Sequence, residues 1–152
     1  MMSDHWMANA LVVVGTAACV AVAVLVHYEG LALLNRLLVR VHGLRRRKVL
    51  LGVYGVILLH VVEIWLFGLV LWLLLVLVPG AGSLQGLAQV TFLDSVYLSA
   101  ETFTTVGFGD LSPQGAIRFL SGTEALTGFI LITWSASFLY LEMEQYWRKS
   151  GG

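Results

Sequence analysis

The sequence predicts an all-α membrane protein with three transmembrane helices. Of its 152 residues, 59% are hydrophobic and only 12% are charged, and the mean hydropathy is +0.87, well above the composition of soluble domains. The apolar stretches 8–28, 49–78 and 116–141 each reach the roughly 20 residues that a helix needs to cross a bilayer. The remaining segments are too short for a soluble ligand-binding or nucleotide-binding domain, so none is expected.

The first span is predicted to be a retained helix and not a cleaved signal peptide. Residues 1–10 contain no Lys or Arg, and the apolar run is longer than the hydrophobic core of a signal peptide. Cys19, the single cysteine, lies in this span and cannot form an intrachain disulfide. The second span is longer than a bilayer requires, so we expect it to tilt or to extend into the interface.

The distribution of Lys and Arg predicts the orientation. Six of the nine lie between the first and second spans, two more follow the third, and only Arg118 lies elsewhere. The positive-inside rule then places this connector and the C-terminus in the cytoplasm, and the N-terminus outside the cell (inner) membrane. No nucleic-acid partner is expected. A basic cluster in the connector is expected to attract anionic lipid headgroups. Its members are Arg45, Arg46, Arg47 and Lys48.

The connector also contains an apolar stripe with helical spacing. Its members are Leu33, Leu34, Leu37, Leu38 and Val41. This pattern is typical of a helix that lies along the inner membrane surface. It equally fits a simple extension of the first span into the cytosol.

A short helix is predicted between the second and third spans. Residues 79–90 are predicted to form an outer loop, and residues 91–103 the helix. Thr91, with Asp94 three residues later, has the spacing of a capping pair at the start of the helix. The β-branched residues and glycines that follow disfavour its continuation.

Residues 104–110, TTVGFGD, are therefore predicted to form non-helical backbone at membrane depth. Such backbone is tolerated only where it is buried in protein or lines a water-filled path. Gly107 and Gly109 can adopt positive φ, and alternation with ordinary residues directs successive carbonyls toward one side. Carbonyl oxygens can replace the water shell of a cation, and the short helix would direct its negative C-terminal end at the same axis.

The TTVGFGD segment resembles the potassium-channel signature, with Phe108 at a position where Tyr is also found. Residues 49–141 as a whole resemble the bacterial two-helix ion-channel family. The resemblance implies a re-entrant pore helix and a selectivity filter, with the pore formed as a homotetramer. A single copy cannot surround an ion, so the chemistry itself requires oligomerisation.

The resemblance divides the chain into three parts. Residues 1–48 comprise an extracellular N-terminus, an extra transmembrane helix and the basic cytoplasmic connector. Residues 49–141 form the pore domain, and residues 142–152 form a short cytoplasmic tail. Within the pore domain the expected order is outer helix 49–78, loop 79–90, pore helix 91–103, filter 104–110 and inner helix 116–141.

The resemblance also implies the ligands of the permeant ion. The carbonyl oxygens of Thr105, Val106, Gly107 and Phe108, with the Thr105 hydroxyl, are expected to bind K⁺, and Gly109 completes the filter. No cofactor is expected, and K⁺ itself is the permeant ligand.

Three residues are expected to support the filter: Thr104, Glu101 and Asp110. Thr104 precedes the ion ligands at the end of the pore helix. Glu101 and Asp110 match a carboxyl pair that supports the filter from behind in some of these channels, and two adjacent carboxylates are expected to share a proton. The alternative for Glu101 is a polar pore-helix position that faces water.

The resemblance places Gly128 at or near the hinge glycine of the family's inner helix. There it would let the helix bend and open a cytoplasmic gate. It could equally be a small residue that allows close helix packing. Phe129, Ile132, Ala136 and Tyr140 would then face the aqueous cavity or the gate.

Three ionisable residues lie inside predicted spans, where such residues are costly and often functional. His60 and Glu63 are three residues apart and share a helix face. They could form a pH sensor or a neutral hydrogen-bonded cluster with polar residues of the third span. Glu124 could contact the pore helix or Arg118. The candidate partners for the cluster are Thr127, Trp134, Ser135 and Ser137.

The sequence therefore predicts a potassium-selective channel that conducts passively. A weakly selective cation channel and a non-conducting membrane sensor or partner subunit are the alternatives. An enzyme is not expected, since no nucleophile, metal set or soluble cleft accompanies His60 and Glu63. No span repeats Arg at every third position, so a voltage sensor is not expected, and the gating stimulus stays open.

Overall fold

The structure, a computed structural model, describes residues 2–40 and 45–148. Within these residues the chain forms four α-helices, two short β-strands and one 3₁₀ turn. The elements are α1 (Met2–Arg40), α2 (Arg45–Leu77), β1 (Ser83–Gln85), α3 (Phe92–Phe103), β2 (Ser112–Gln114), the 3₁₀ turn (Gly115–Ile117) and α4 (Arg118–Arg148).

Three helical segments are long and apolar enough to cross a membrane: Trp6–Arg40, Arg46–Leu77 and Gly115–Glu144. The prediction of an all-α membrane protein with three transmembrane helices is confirmed. At a rise of about 1.5 Å per residue, the 39 residues of α1 extend over about 58 Å, nearly twice the hydrocarbon thickness of a bilayer.

α1 continues without a break through the apolar stripe of the connector. Leu34 and Leu38 are buried in a cluster with Val56 of α2, whereas Leu33 and Leu37 are exposed. The stripe is therefore an extension of the first span that packs on α2, and not a separate helix. Arg46 and Arg47 are exposed at the start of α2. Val41, the side chain of Arg45 and the last four residues of the predicted tail lie outside the described residues.

α3 enters the helix bundle from one end and stops inside it. Near its start, the ring of Phe92 lies 5.9 Å from that of Trp72, close to the end of α2. At its end, the ring of Phe103 lies 5.8 Å from that of His60, midway along α2. After residues 104–110, β2 pairs antiparallel with β1. Residues 92–114 therefore descend as a helix and return as non-helical chain, the re-entrant arrangement that the sequence predicts.

The start of α3 is fixed by a reciprocal cap. The Asp94 amide donates to Thr91 Oγ1 at 3.2 Å, and the Thr91 amide donates to Asp94 Oδ2 at 2.8 Å. The Thr91 hydroxyl donates to the same carboxylate at 2.7 Å. The predicted capping pair is thus present, and it satisfies two amides that the first turn of a helix would otherwise leave unpaired.

Two glycines allow α2 and α4 to approach α3 closely. A Cβ atom at Gly128 would lie 2.1 Å from the carbonyl oxygen of Phe103, and one at Gly68 would lie 2.7 Å from Cα of Val96. No side chain fits at either distance. The structure therefore gives Gly128 the packing role that was one of its two predicted alternatives, and helix bending at this position stays a prediction.

The additional helix α1 belongs to the same folded unit as the other three. The apolar core forms three clusters along the helix axes, and each contains residues of α1. We call the end with β1 and β2 the strand end. From the strand end to the opposite end, the contributions of α1 are Val12, then Cys19 and Ala23, then Leu31, Leu34 and Leu38.

We predict that Gly128→Ala lowers the free energy of unfolding by about 1–3 kcal/mol, because the added methyl group displaces the backbone of Phe103. Gly122→Ala, in the same helix, is the matched control. A Cβ there meets nothing within 4 Å, so this variant should gain about 0.5–1 kcal/mol from helix propensity. Unfolding of both purified variants in detergent gives the comparison, and equal stabilities would contradict the packing assignment.

The cap of α3 should depend on pH. Hydrogen bonds from the side chain and backbone of Thr91 hold the pKa of Asp94 below its usual range. A carboxyl with a lowered pKa stabilises the fold above its unfolded pKa, and this contribution is lost as the pH falls through the folded value. The stability difference between the native chain and Asp94→Asn should therefore be full at pH 7 and shrink below about pH 4. Thermal midpoints at pH 7 and pH 3 measure it, with the exposed Glu29→Gln as control, and an unchanged difference would refute the prediction.

Candidate functional site

The TTVGFGD segment, residues 104–110, has an alternating backbone. Thr105, Gly107 and Gly109 have φ of 60°, 55° and 81°. The residues between them have negative φ. Alternation of this kind turns successive carbonyl groups toward one side of the chain. The sequence predicts positive φ for the two glycines, whereas the third position, Thr105, is an addition from the structure.

Thr105 adopts a conformation that its β-branched side chain disfavours. Positive φ at such a residue costs on the order of 1–3 kcal/mol and is most often found at functional sites. Hydrogen bonds at the end of α3 hold the conformation: the Thr105 amide donates to the Thr102 carbonyl at 3.0 Å, and the Thr104 amide donates to the Ala100 carbonyl at 3.2 Å. The end of α3 therefore fixes where the alternation begins.

Glu101 holds two consecutive amides of the segment. Its carboxylate oxygen Oε2 accepts a hydrogen bond from the Phe108 amide at 2.8 Å, and its backbone carbonyl accepts one from the Gly107 amide at 3.2 Å. The side chain is only 4% exposed, so it does not occupy the alternative position that faces water. Among the described residues, its other carboxylate oxygen, Oε1, has no hydrogen-bond partner.

Asp110, at the end of the segment, is held by a different residue. The Tyr97 hydroxyl contacts its two carboxylate oxygens at 3.1 and 3.0 Å. Within the part of the chain that the structure describes, no hydrogen bond joins Asp110 directly to Glu101. The structure thus gives the two carboxyls separate partners in place of the expected shared proton. Tyr97 was missed by sequence analysis, although it lies four residues before Glu101 on the same face of α3.

The segment is open on the isolated chain. Each of residues 104–110 is exposed, and Phe108 and Val106 are 72% and 56% exposed. The predicted cavity residues also share one exposed face of α4, because their spacing of three and four residues repeats with the helical turn. They are Phe129, Ile132, Ala136 and Tyr140.

His60 and Glu63 belong to a buried polar cluster that a third residue completes. His60 Nδ1 lies 2.8 Å from Glu63 Oε2, and His27 Nδ1 of α1 lies 2.8 Å from Glu63 Oε1. The side chains of Glu63 and His27 are 0% exposed and that of His60 is 16% exposed. Sequence analysis missed His27. Its signal was an ionisable residue inside the predicted first span, the same signal that identified the other two.

Only part of the predicted α4 contribution to this cluster is present. Ser135 Oγ lies 3.5 Å from His27 Nε2, and the ring of Trp134 lies 5.1 Å from that of His27. The hydroxyls of Ser137 and Thr127 instead donate to backbone carbonyls of their own helix, at 3.0 and 2.8 Å. The cluster therefore joins α1, α2 and α4 at the middle of the bundle.

Glu124 contacts α3, one of its two predicted partners. It is buried, and the Ser99 hydroxyl hydrogen-bonds to its Oε1. Ser99 Oγ also lies 2.8 Å from the carbonyl oxygen of Ile64. This one hydroxyl thereby links α3 to both α2 and α4. Within residues 2–40 and 45–148, no ion pair joins Glu124 to Arg118.

A protein-family model described as "Ion channel" matches residues 59–145, more than half of the chain. Protein LctB of Geobacillus stearothermophilus is 39% identical over 56 residues, which are 37% of this chain and 42% of that protein. Protein LctB of Bacillus caldotenax is 47% identical over 38 residues, 25% of this chain and 28% of that protein. The matches thus span less than half of either relative. No solved structure matches the chain.

We predict that Tyr97→Phe lowers the free energy of unfolding, because the variant loses the hydrogen bond from the Tyr97 hydroxyl to the Asp110 carboxylate. Asp110→Ala should remove the same interaction, so the double variant should lose less than the sum of the two single variants. Tyr54→Phe, which changes an exposed tyrosine of α2, is the matched control and should have no effect. Strict additivity of the two single variants would contradict the contact.

Proposed function

Because the chain belongs to the ion-channel family whose model matches residues 59–145, we propose that it is a potassium-selective channel that conducts K⁺ passively through the TTVGFGD segment. The observation that supports the proposal most directly is the backbone alternation at Thr105, Gly107 and Gly109. A row of carbonyl oxygens on one side of the chain can replace the hydration shell of a dehydrated cation.

The proposed K⁺ ligands are the carbonyl oxygens of Thr105, Val106, Gly107 and Phe108, with the Thr105 hydroxyl at the inner end of the row. Gly109 continues the alternation beyond them. α3 ends directly before this row, so the partial negative charge of its C-terminus favours a cation there. Glu101 fixes the amides of Gly107 and Phe108, which keeps those groups from turning toward the ion.

The proposal requires a homotetramer, because one row of carbonyls covers only one side of an ion. The exposure of Val106 and Phe108 supports assembly, since apolar side chains beside a polar ion path need a covering surface. Neighbouring copies of the same segment and of α3 supply that surface. The exposed face of α4 then lines the path below the filter, and bending at Gly128 would open or close it.

The chain is a membrane protein, and we propose that it lies in the cell (inner) membrane with its N-terminus outside and its C-terminus in the cytoplasm. The basic start of α2, which includes the exposed Arg46 and Arg47, is then adjacent to anionic headgroups of the inner leaflet. We propose no enzymatic activity, and the proposed conduction needs no cofactor besides the permeant ion.

The decisive experiment is the reversal potential of the purified protein in planar bilayers, with potassium on one side and sodium on the other. A reversal near the potassium equilibrium potential supports the proposal, and one near zero indicates the weakly selective cation channel. If no current appears, rubidium uptake into vesicles distinguishes the remaining possibilities. Barium-blockable uptake indicates a channel that is mostly closed in bilayers, and its absence indicates a non-conducting sensor or partner subunit.

We predict that Gly107→Ala abolishes flux or selectivity, because a methyl group at φ 55° strains the backbone that positions the carbonyls. Thr105→Ala removes one hydroxyl ligand. If that ligand favours potassium by about 1.4 kcal/mol, the permeability ratio of potassium to sodium falls about tenfold. Gly122→Ala is the control for the glycine variant, since a Cβ there meets nothing within 4 Å. Wild-type ratios in both test variants would contradict the filter assignment.

A further inference from the structure

The polar cluster at the middle of the bundle has the composition and geometry of a metal site. We infer that His27, His60 and Glu63 bind a divalent transition-metal ion of the zinc type. Each residue offers one ligand atom, and the three atoms lie within 4.8 Å of one another. The inference concerns a site apart from the TTVGFGD segment, and it does not depend on potassium selectivity.

The distances require only a small closure around an ion. Zinc binds imidazole nitrogen and carboxylate oxygen at about 2.0–2.2 Å in tetrahedral geometry, which separates two ligand atoms by roughly 3.3 Å. His27 Nδ1 and His60 Nδ1 each lie 2.8 Å from Glu63, but on different carboxylate oxygens, Oε1 and Oε2. With one ligand atom taken from each residue, the three atoms lie within 4.8 Å of one another, so they must draw together to reach tetrahedral spacing. His60 and Glu63 are on the same face of α2, and His27 approaches them from α1, so all three side chains converge on one point between the two helices.

The donor set favours a particular class of ion. Two imidazoles and one carboxylate form a set that holds zinc with a fourth position open. Imidazole selects zinc, copper or nickel over magnesium and calcium, which prefer oxygen ligands. A divalent cation would also pair with the carboxylate of Glu63, which is 0% exposed and is costly to bury as an unpaired charge. The complex would carry one net positive charge.

Neighbouring residues can hold the proposed ligands in place. Histidines that bind a metal usually hold their second ring nitrogen against an acceptor, which fixes the orientation of the ring. Ser135 Oγ lies 3.5 Å from His27 Nε2 and can fill this role. The ring of Trp134 lies 5.1 Å from the ring of His27, and the ring of Phe103 lies 5.8 Å from the ring of His60. His60 is the most exposed of the three ligands, at 16%.

A bound ion would link α1 to α2, which belongs to the predicted pore domain. His27 belongs to α1, whereas the other two ligands belong to α2. The ring of His60 in turn lies against Phe103, the last residue of α3 before the TTVGFGD segment. The ion would therefore connect the additional helix to the base of the proposed filter, and it should raise the thermal midpoint of the folded chain.

The test uses a full-length parent variant in which His5→Ala and His42→Ala leave His27 and His60 as its only histidines. After incubation with zinc and dialysis in detergent, elemental analysis should find one zinc per chain. Cobalt, as a spectroscopic probe, should give the intense visible absorption of a four-coordinate site. A parent chain that retains no zinc and shows only the weak spectrum of hydrated cobalt would overturn the inference, and the cluster would then be a hydrogen-bonded group alone.

Single substitutions assign the ligands. His27→Gln and Glu63→Gln should each weaken zinc binding by at least about 100-fold, since even the loss of residues that only orient metal ligands costs about 10–100-fold. Glu29→Gln removes an exposed carboxylate two residues from His27 and should leave the affinity unchanged. Unchanged binding in both ligand variants would place the ion elsewhere and refute the site. If a ligand variant fails to fold, the cobalt spectrum of the parent decides alone.

Discussion

A peptide group that leaves a helix inside a bilayer needs a hydrogen-bond partner within the protein, because the surrounding lipid offers none. This constraint acts on the chain at the end of α3, where the backbone turns out of the helix at half the depth of the bundle. Glu101 provides two such partners: its backbone carbonyl accepts a hydrogen bond from the Gly107 amide, and its carboxylate accepts one from the Phe108 amide. Among the described residues, no backbone hydrogen bond ends on the carbonyl oxygens of residues 105–109. The segment therefore has two of its amides bonded to Glu101 while its carbonyls stay available.

The position of α3 depends on contacts with helices on both sides. Gly68 and Gly128 let the backbones of α2 and α4 come within direct contact of it, and Ser99 hydrogen-bonds to both neighbours. Phe103, fully buried, lies among Phe67, His60 and the backbone of Gly128. A half-length helix of 12 residues has little stability of its own, so its depth and direction are set by this packing.

The sequence predicts the features that depend on neighbouring residues, and it misses those that depend on distant ones. The three spans follow from apolar length, the cap from the spacing of Thr91 and Asp94, and the TTVGFGD segment from its glycines and threonines. The partner of Asp110 could not be assigned without knowing that the segment turns back beside Tyr97. His27 and Glu63 are 36 positions apart, and only the packing of α1 on α2 brings them together. Gly128 likewise fitted both a hinge and a close contact until its neighbour was known.

The length of the two outer helices has a consequence for the membrane itself. α1 and α2 have 39 and 33 residues and contact each other from the strand end to the opposite end through buried clusters. Helices that exceed the hydrocarbon thickness normally tilt, and the mismatch costs fractions of a kcal/mol per Å. Because α1 and α2 pack against each other and against α4, neither helix can tilt alone. The whole subunit must adjust to a thinner or thicker bilayer, so lipid chain length acts as a mechanical load on the protein.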